Sequence, residues 1–553
     1  MERRAKTLKA MIKKHQPKTE NLDPRKWMKE ETVKGFADFI LNKNSDREMD
    51  NSFDNKEMLL DAEKQFMEAA KTNDVVTMKT LVRGLNPNAK NVDNRTALHY
   101  AVAGKNKEAV QLLLQRRVKV EQRDKYGVAP IHLAAWFGSL DILKLLVQAG
   151  AEQKVENDEG LNIMHCTAIN NHTEILEYII NDLQMKELDK DDQSGQRPFT
   201  SAAEHGCVEM MDMLIVPYDM ATMKANKVGD TPLHLAARNG HSNAVHSLLQ
   251  SFETRDEVNM DDETALYQAA DHGHEECVLI LLEAGCDPNV LTTAKCSALH
   301  PVSERGDTSL VQLLLNYKAH TDFKNQHLEA PIHLAVKNSH IPVIHSLLTA
   351  GCDINVADKR SQTAMHLAAE LARIEVVEML LKARLDLTLQ DRQGKTALGV
   401  AVRADEVIIV DMIIKAERYY AWRKENPELN ESIHSENPLT FKLDHRYETK
   451  QFRSMAWRLA YKLLKAGDWR RLAEHWGFTK EQVSAIEEQW TGPQSYQEHG
   501  NRMLLIWLHG EELAQRSNAR ELYQGLILTG NRKAADKIRM EAENSSSKSC
   551  SIS

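Results

Sequence analysis

The chain has 553 residues, too many for one compact core, so its length predicts at least two domains. Its 42% hydrophobic and 27% charged residues are typical of soluble protein, and no run of 18 apolar residues predicts a membrane-spanning helix. The net charge of −9 is uneven, because residues 1–29 and 445–553 are basic and residues 30–444 therefore hold the excess acid. This acidic middle region disfavours nucleic-acid binding and favours basic protein partners.

The N-terminal segment, residues 1–57, begins with ten basic and three acidic side chains in residues 1–29. We expect disorder here, with contact to an acidic partner or a membrane surface, or a targeting role, as alternatives. The segment lacks the apolar core of a secretory signal, which favours a cytoplasmic location.

A four-residue motif then returns ten times, mostly 33 residues apart, and a fixed period of this length predicts a helical repeat array. The motif occupies Thr96–His99, Ala129–His132, Asn162–His165, Arg197–Thr200, Thr231–His234, Thr264–Tyr267, Ser297–His300, Ala330–His333, Thr363–His366 and Thr396–Gly399. The spacing grows to 35 and 34 between 181 and 230, where Pro217 also interrupts an expected outer helix. We expect a distorted layer there, either a bend or a tolerated loop insertion.

Each repeat predicts a tight turn followed by two antiparallel helices. In residues 226–241, Gly229 permits the turn, Thr231 caps the inner helix, Pro232 fills its first position and Gly240 ends it. Residues 59–82 predict a polar-faced N-terminal capping pair, and an apolar helix beginning near 408 predicts the C-terminal cap.

These motifs resemble ankyrin repeats, and the resemblance covers residues 58–425. Proteins of that family usually bind partners through hairpin tips and the concave face of the inner helices. The resemblance therefore implies partner-binding residues at Tyr126, Trp136, Phe137, Arg238, Asp271, Arg305, Lys337 and Glu370. A large aromatic such as Trp136 makes a good anchor at a variable surface position, although packing against a neighbouring hairpin is the alternative.

Histidine, cysteine and asparagine each suggest a functional site. The recurring histidine suggests a metal or proton-shuttle site, but one imidazole per layer favours hydrogen bonding between adjacent repeats. The cysteines lack metal-ligand spacing, so we expect no metal site and six reduced core thiols. By family resemblance, an oxygenase could hydroxylate Asn88, Asn289 and Asn355.

A polar linker is predicted at 426–446, followed by six short amphipathic helices at about 450–465, 468–476, 479–489, 494–509, 515–527 and 531–543. The segments Asp468–Thr479 and Met503–Trp507 resemble the middle helices of a death domain, here 447–543. Such domains bind one another through charged patches, and the candidates are Arg470, Arg471, Glu487 and Glu488. A solvated helix face is the alternative for these four side chains.

The tail, 544–553, ends in Cys550-Ser-Ile-Ser, which fits a prenylation box of the farnesyl type. No complete catalytic motif is present, since Leu389 replaces the first glycine expected before Gly394-Lys395-Thr396 in a P-loop.

The chain resembles the ankyrin repeat and death domain-containing proteins, which implies an all-α, non-enzymatic adaptor without cofactors. The alternatives are a scaffold tethered by a farnesylated Cys550, or a substrate or decoy of an asparagine hydroxylase.

Overall fold

A computed structural model describes Phe36 and residues 59–426, 439–442, 449–513 and 518–539. These residues form helices and loops, with no strand among them, as the all-α prediction requires. They divide into two compact units, residues 1–260 and residues 261–553.

The first unit is built from helix pairs, in which a short inner helix is followed by an antiparallel outer helix. The pairs are α1 Asp61–Lys71 and α2 Val75–Leu81, α3 Ala97–Ala103 and α4 Lys107–Gln115, α5 Pro130–Trp136 and α6 Leu140–Gln148, α7 Ile163–Ile169 and α8 Thr173–Glu177, α9 Pro198–Glu204 and α10 Val208–Ile215, and α11 Pro232–Arg238 and α12 Ser242–Ser251.

The second unit continues with five more pairs. They are α13 Ala265–His272 and α14 Glu275–Glu283, α15 Leu299–Arg305 and α16 Thr308–Asn316, α17 Pro331–Lys337 and α18 Ile341–Thr349, α19 Ala364–Glu370 and α20 Ile374–Lys382, and α21 Ala397–Arg403 and α22 Val407–Glu425. The last outer helix, α22, has 19 residues, whereas α20 has nine.

The turn chemistry predicted for residues 226–241 is observed. Gly229 has φ +86°, and a Cβ there would lie 2.7 Å from the Met260 nitrogen, so the turn requires glycine. Thr231 precedes α11, Pro232 opens it, and Gly240 lies in the left-handed region at φ +75°. Buried alanines such as Ala236 and Ala237 let neighbouring inner helices approach closely.

The irregular spacing between 181 and 230 coincides with irregular helices. Helix α8 passes into a π-helical turn, Tyr178–Asp182, and a 3-10 turn follows at Lys186–Leu188. Helix α10 ends at Ile215, two residues before Pro217. The extra residues are therefore accommodated by a changed outer helix and its loop.

The C-terminal bundle follows within the second unit. Its helices are α23 Lys450–Arg458 with a π-helical turn Leu459–Leu463, α24 Asp468–His475, α25 Lys480–Glu488, α26 Ser495–Leu513, α27 Asn518–Leu528 and α28 at 532–539. Trp469 and Trp507 are buried in its core, and the Trp507 ring stacks on Trp476 at 4.3 Å. The predicted end of the fourth helix at 509 is wrong, because α26 continues through Gly510 to Leu513.

Candidate protein-interaction surfaces

A ladder of buried histidines organises the repeats. The backbone N–H of Thr96 donates to Nδ1 of His99 (3.1 Å), so Nε2 holds the proton and donates to the Val128 carbonyl of the next repeat (3.2 Å). The same pattern recurs at His300, His333 and His366, whose Nε2 atoms reach carbonyls 29 residues further along the chain. The described residues contain no cluster of His, Cys, Asp or Glu suited to a metal ion.

Five of the six described cysteines are buried, whereas Cys296 is half-buried and so departs from the expected core position. None of the six forms a disulfide. Burial raises the pKa of Cys207 to about 11 and that of Cys352 to about 12, which makes both thiols unreactive near neutral pH.

Trp136 is not exposed as the sequence led us to expect. It is only 5% exposed, and the ring of Phe36 stacks on it with centroids 4.0 Å apart and planes 7° apart. Its carbonyl accepts a hydrogen bond from Nε2 of His172 (2.9 Å). Sequence reasoning missed Phe36, although the sequence has four apolar residues close together in an otherwise polar stretch, Phe36, Phe39, Ile40 and Leu41.

The other aromatic candidates of the first unit, Tyr126 and Phe137, are half-buried. Lys125 lies over the Tyr126 ring, with Nζ 4.9 Å from its centroid, and Phe137 ends α5. Further along, Arg238 donates to Asp230 (2.6 Å) and is 32% exposed. These side chains are ordered by their neighbours yet remain partly accessible.

In the second unit, Asp271 and Arg305 come together. Arg305 donates to the carbonyls of Asp271 and Ala270, the latter at 2.8 Å, so this guanidinium joins two successive inner helices. Lys337 pairs with Glu329, and Glu370 accepts from Gln362 (3.0 Å) and faces Arg403 (4.0 Å). The predicted surface residues thus stabilise the repeats as well as lining them.

The three candidate asparagines perform a structural task that the sequence did not reveal. The side-chain oxygen of Asn88 accepts from the backbone N–H of Lys119, that of Asn289 from His320, and that of Asn355 from Asp386, all at 2.8–2.9 Å. Each bond joins one repeat loop to the next, 31 residues on. The amide oxygens of these asparagines are therefore engaged in the fold, while the side chains stay partly exposed.

The predicted linker contains a buried anchor. Phe441 is fully buried, its N–H donates to Glu378 (3.0 Å), and its ring meets Tyr419 and Tyr420 edge-on. Nζ of Lys415 donates to the carbonyl of Phe441 (3.3 Å). This short segment is therefore fixed to α20 and α22.

The bundle packs directly on α22. We call this contact the α22 seam. Asp411, Glu417 and Arg418 of α22 meet Trp476, Phe478, Gln482 and Arg502 of the bundle, and Gln489 supports Arg502 from behind. Arg502, only 3% exposed along its side chain, donates to Asp411 through Nε (3.0 Å) and Nη2 (2.6 Å). Gln482 donates to Glu417 (2.8 Å).

Burial dominates the electrostatics of the α22 seam. Desolvation raises the pKa of Asp411, against the lowering effect of Arg502. Burial also lowers the pKa of Arg418 to about 10, while its guanidinium lies 4.0 Å from the Phe478 ring centroid and donates to the Trp476 carbonyl (3.2 Å). The seam therefore holds charges at a desolvation cost that its hydrogen bonds partly offset.

Comparison with known families identifies both parts. The family model for ankyrin repeats (3 copies) matches 66–157, 149–226, 218–292, 285–358 and 332–421, which together cover more than half of the chain. The model for the death domain matches 458–542. The chain is an ankyrin repeat and death domain-containing protein. Ankyrin repeats and death domains are non-catalytic interaction modules.

The individual relatives match only parts of this ankyrin repeat and death domain-containing protein. Three of them are the ankyrin repeat protein nuc-2 of Neurospora crassa (27% identity; 29% of this chain and 15% of the relative), serine/threonine-protein kinase 12 of Arabidopsis thaliana (33%; 17% and 20%) and the nuclear factor NF-kappa-B p105 subunit of Gallus gallus (28%; 32% and 19%). The chain thus spans no more than a fifth of their lengths.

The death domain presents its predicted charged residues on α24 and α25. Arg470 and Arg471 are 58% and 60% exposed along their side chains. Arg470 pairs with Glu487, Arg471 with Asp468, and Glu488 accepts from Ser484 (2.9 Å). All four candidates therefore already have partners inside the domain, but the two arginines remain more than half exposed.

Proposed function

We propose that this chain is a non-enzymatic signalling adaptor. The ankyrin repeats bind a protein partner, and the death domain associates with other death domains, including a second copy of this chain. The observation that supports this most is the exposed pair Arg470 and Arg471, which lies outside the α22 seam. One face of the death domain thus packs on the repeats while another stays accessible.

The excess of acid in residues 30–444 favours a basic partner for the repeats. We place the adaptor in the cytoplasm. No helix in the described part of the chain is long and apolar enough to span a membrane.

The test is self-association of the full chain, measured as a Kd by sedimentation. Arg470→Glu places a second negative charge beside Glu487 and reverses the sign of the charge at an exposed position. We therefore expect at least a tenfold weaker association. The double variant Arg470→Glu with Glu487→Arg restores the internal ion pair and serves as the matched control. Association that stays weak in both variants supports contact with a partner, whereas unchanged association in Arg470→Glu contradicts this face.

The scaffold alternative depends on Cys550, which lies outside the described residues. Cys550→Ser would then release the chain from the membrane fraction. The hydroxylase alternative predicts a mass increase of one oxygen on peptides with Asn88, Asn289 or Asn355.

A further inference from the structure

We propose that the α22 seam is an intramolecular docking surface for the death domain, and that docking competes with death-domain association at helices α25 and α26. This inference rests on the proposed function, because it assumes that the domain has homotypic partners. It adds an internal competitor and names the residues that hold it.

The length of α22 provides the first argument. Nine residues suffice for the outer helices α16, α18 and α20, whereas α22 has 19. Its residues Ile409, Val410 and Ile413 are buried, as in a capping outer helix. The additional turns carry Glu417 and Arg418, which contact the death domain, so the extension supplies a second, polar face.

Polar complementarity across the seam provides the second argument. Arg502 on α26 reaches Asp411, Gln482 on α25 reaches Glu417, and Arg418 on α22 reaches the loop between α24 and α25. Hydrogen-bond donors thus lie on both sides of the seam. Such complementarity selects one orientation of the domain on the helix.

The third argument is that the seam is suited to opening. Three of its buried nitrogen atoms, Nε of Arg418, Nε2 of Gln489 and Nη1 of Arg502, have no hydrogen-bond partner among the described residues. Unsatisfied buried donors weaken the docked state, and a polar interface between domains favours relative motion over permanent fusion. The docked state is therefore one that a competing partner is able to displace.

Docking divides the death domain into two faces. Gln482 and Arg502 are 4% and 3% exposed in the docked state, so a partner that uses them must first displace α22. Arg470 and Arg471 stay accessible in the same state. We infer that undocking adds the second face and strengthens association.

Gln482→Glu is the sharpest test. Glutamate keeps the acceptor oxygen that caps α25 at Thr479, but places a carboxylate against Glu417. We expect faster hydrogen exchange in residues 415–425 and a self-association Kd at least tenfold lower in the full chain. Adding Glu417→Lys restores an opposite charge and should return both values towards those of the wild type.

Asp411→Arg tests the repeat side, since it faces Arg502 with a like charge. The matched control is Glu425→Arg, which makes the same charge change at the exposed end of the same helix. Opening and stronger association in Asp411→Arg but not in Glu425→Arg support the proposal.

Unchanged exchange in both seam variants, or opening without a change in Kd, overturns it. The proposed function is judged separately, because Arg470→Glu must weaken association in the opened Gln482→Glu chain. If the opened chain does not associate at any concentration, the homotypic part of the proposed function fails as well.

Discussion

At the scale of single residues, the histidine ladder shows that a residue type common in metal and catalytic sites has a structural role here. His99 and His132 are fully buried, and their Nδ1 atoms cap their own helices while Nε2 reaches a carbonyl in a following loop. The sequence predicted this ladder from one imidazole per layer. It did not predict the companion bonds of Asn88, Asn289 and Asn355, because an exposed loop asparagine gives no signal of its acceptor role.

The ladder predicts a dependence of stability on pH. Burial lowers the pKa of His99 and His132 from 6.5 to about 4, so the unfolded chain binds protons first as the pH falls. The stability that the neutral rings provide is complete above about pH 6.5 and is lost progressively towards pH 4, at up to about 1.4 kcal/mol per pH unit for each histidine.

Urea unfolding between pH 7.5 and 5 measures this slope. The double variant His99→Gln with His132→Gln should have a shallower slope, whereas His246→Gln, on the exposed face of α12, should keep that of the wild type. Equal slopes in all three proteins would contradict the buried-histidine explanation.

At the scale of elements, the glycines of the death domain show what a sequence pattern leaves open. Gly510 looks like a helix end in the sequence, but lies inside α26 with open space around its Cα. Gly525 lies inside α27, where a Cβ would be 2.8 Å from the Trp476 ring. Glycine is thus not required by packing at position 510, whereas at position 525 the Trp476 ring leaves no room for a side chain.

This contrast predicts opposite effects of one substitution. Gly525→Ala forces apart α27 and Trp476, and should lower the free energy of unfolding by about 1–3 kcal/mol. Gly510→Ala adds a helix-favouring side chain in open space, and should raise it by up to about 1 kcal/mol. Thermal unfolding of the full chain, followed by near-UV circular dichroism of the tryptophans, compares the two. A stabilised Gly525→Ala protein would show that the contact relaxes freely.

At the scale of the whole molecule, contacts between distant segments reverse part of the sequence interpretation. Trp136 was predicted as an exposed anchor, but Phe36, a hundred residues earlier in the chain, covers it. Any partner that uses Trp136 must therefore displace Phe36. Displacing Phe36 would cost the burial of its ring, about 1.5–3 kcal/mol, as well as the aromatic contact itself.

Phe36→Ala should expose Trp136. We expect stronger acrylamide quenching of tryptophan fluorescence in the full chain, and the increase should vanish when Trp136→Phe is added. Phe39→Ala is the matched control, since it removes an aromatic ring from the same segment. Equal quenching in Phe36→Ala and in the wild type would mean that the stack does not cover Trp136 in solution.

The sequence by itself determined the repeats, their turns and caps, and the helical bundle. These depend on local chemistry: a glycine at positive φ, a capping residue before a helix, and apolar residues at helical spacing. Only the tertiary structure decided that Phe36 covers Trp136, that Phe441 fixes the linker, and that Arg502 meets Asp411. Each of these contacts joins residues between about 60 and 100 positions apart in the chain. A local sequence pattern carries no information about which distant side chain will cover a given surface.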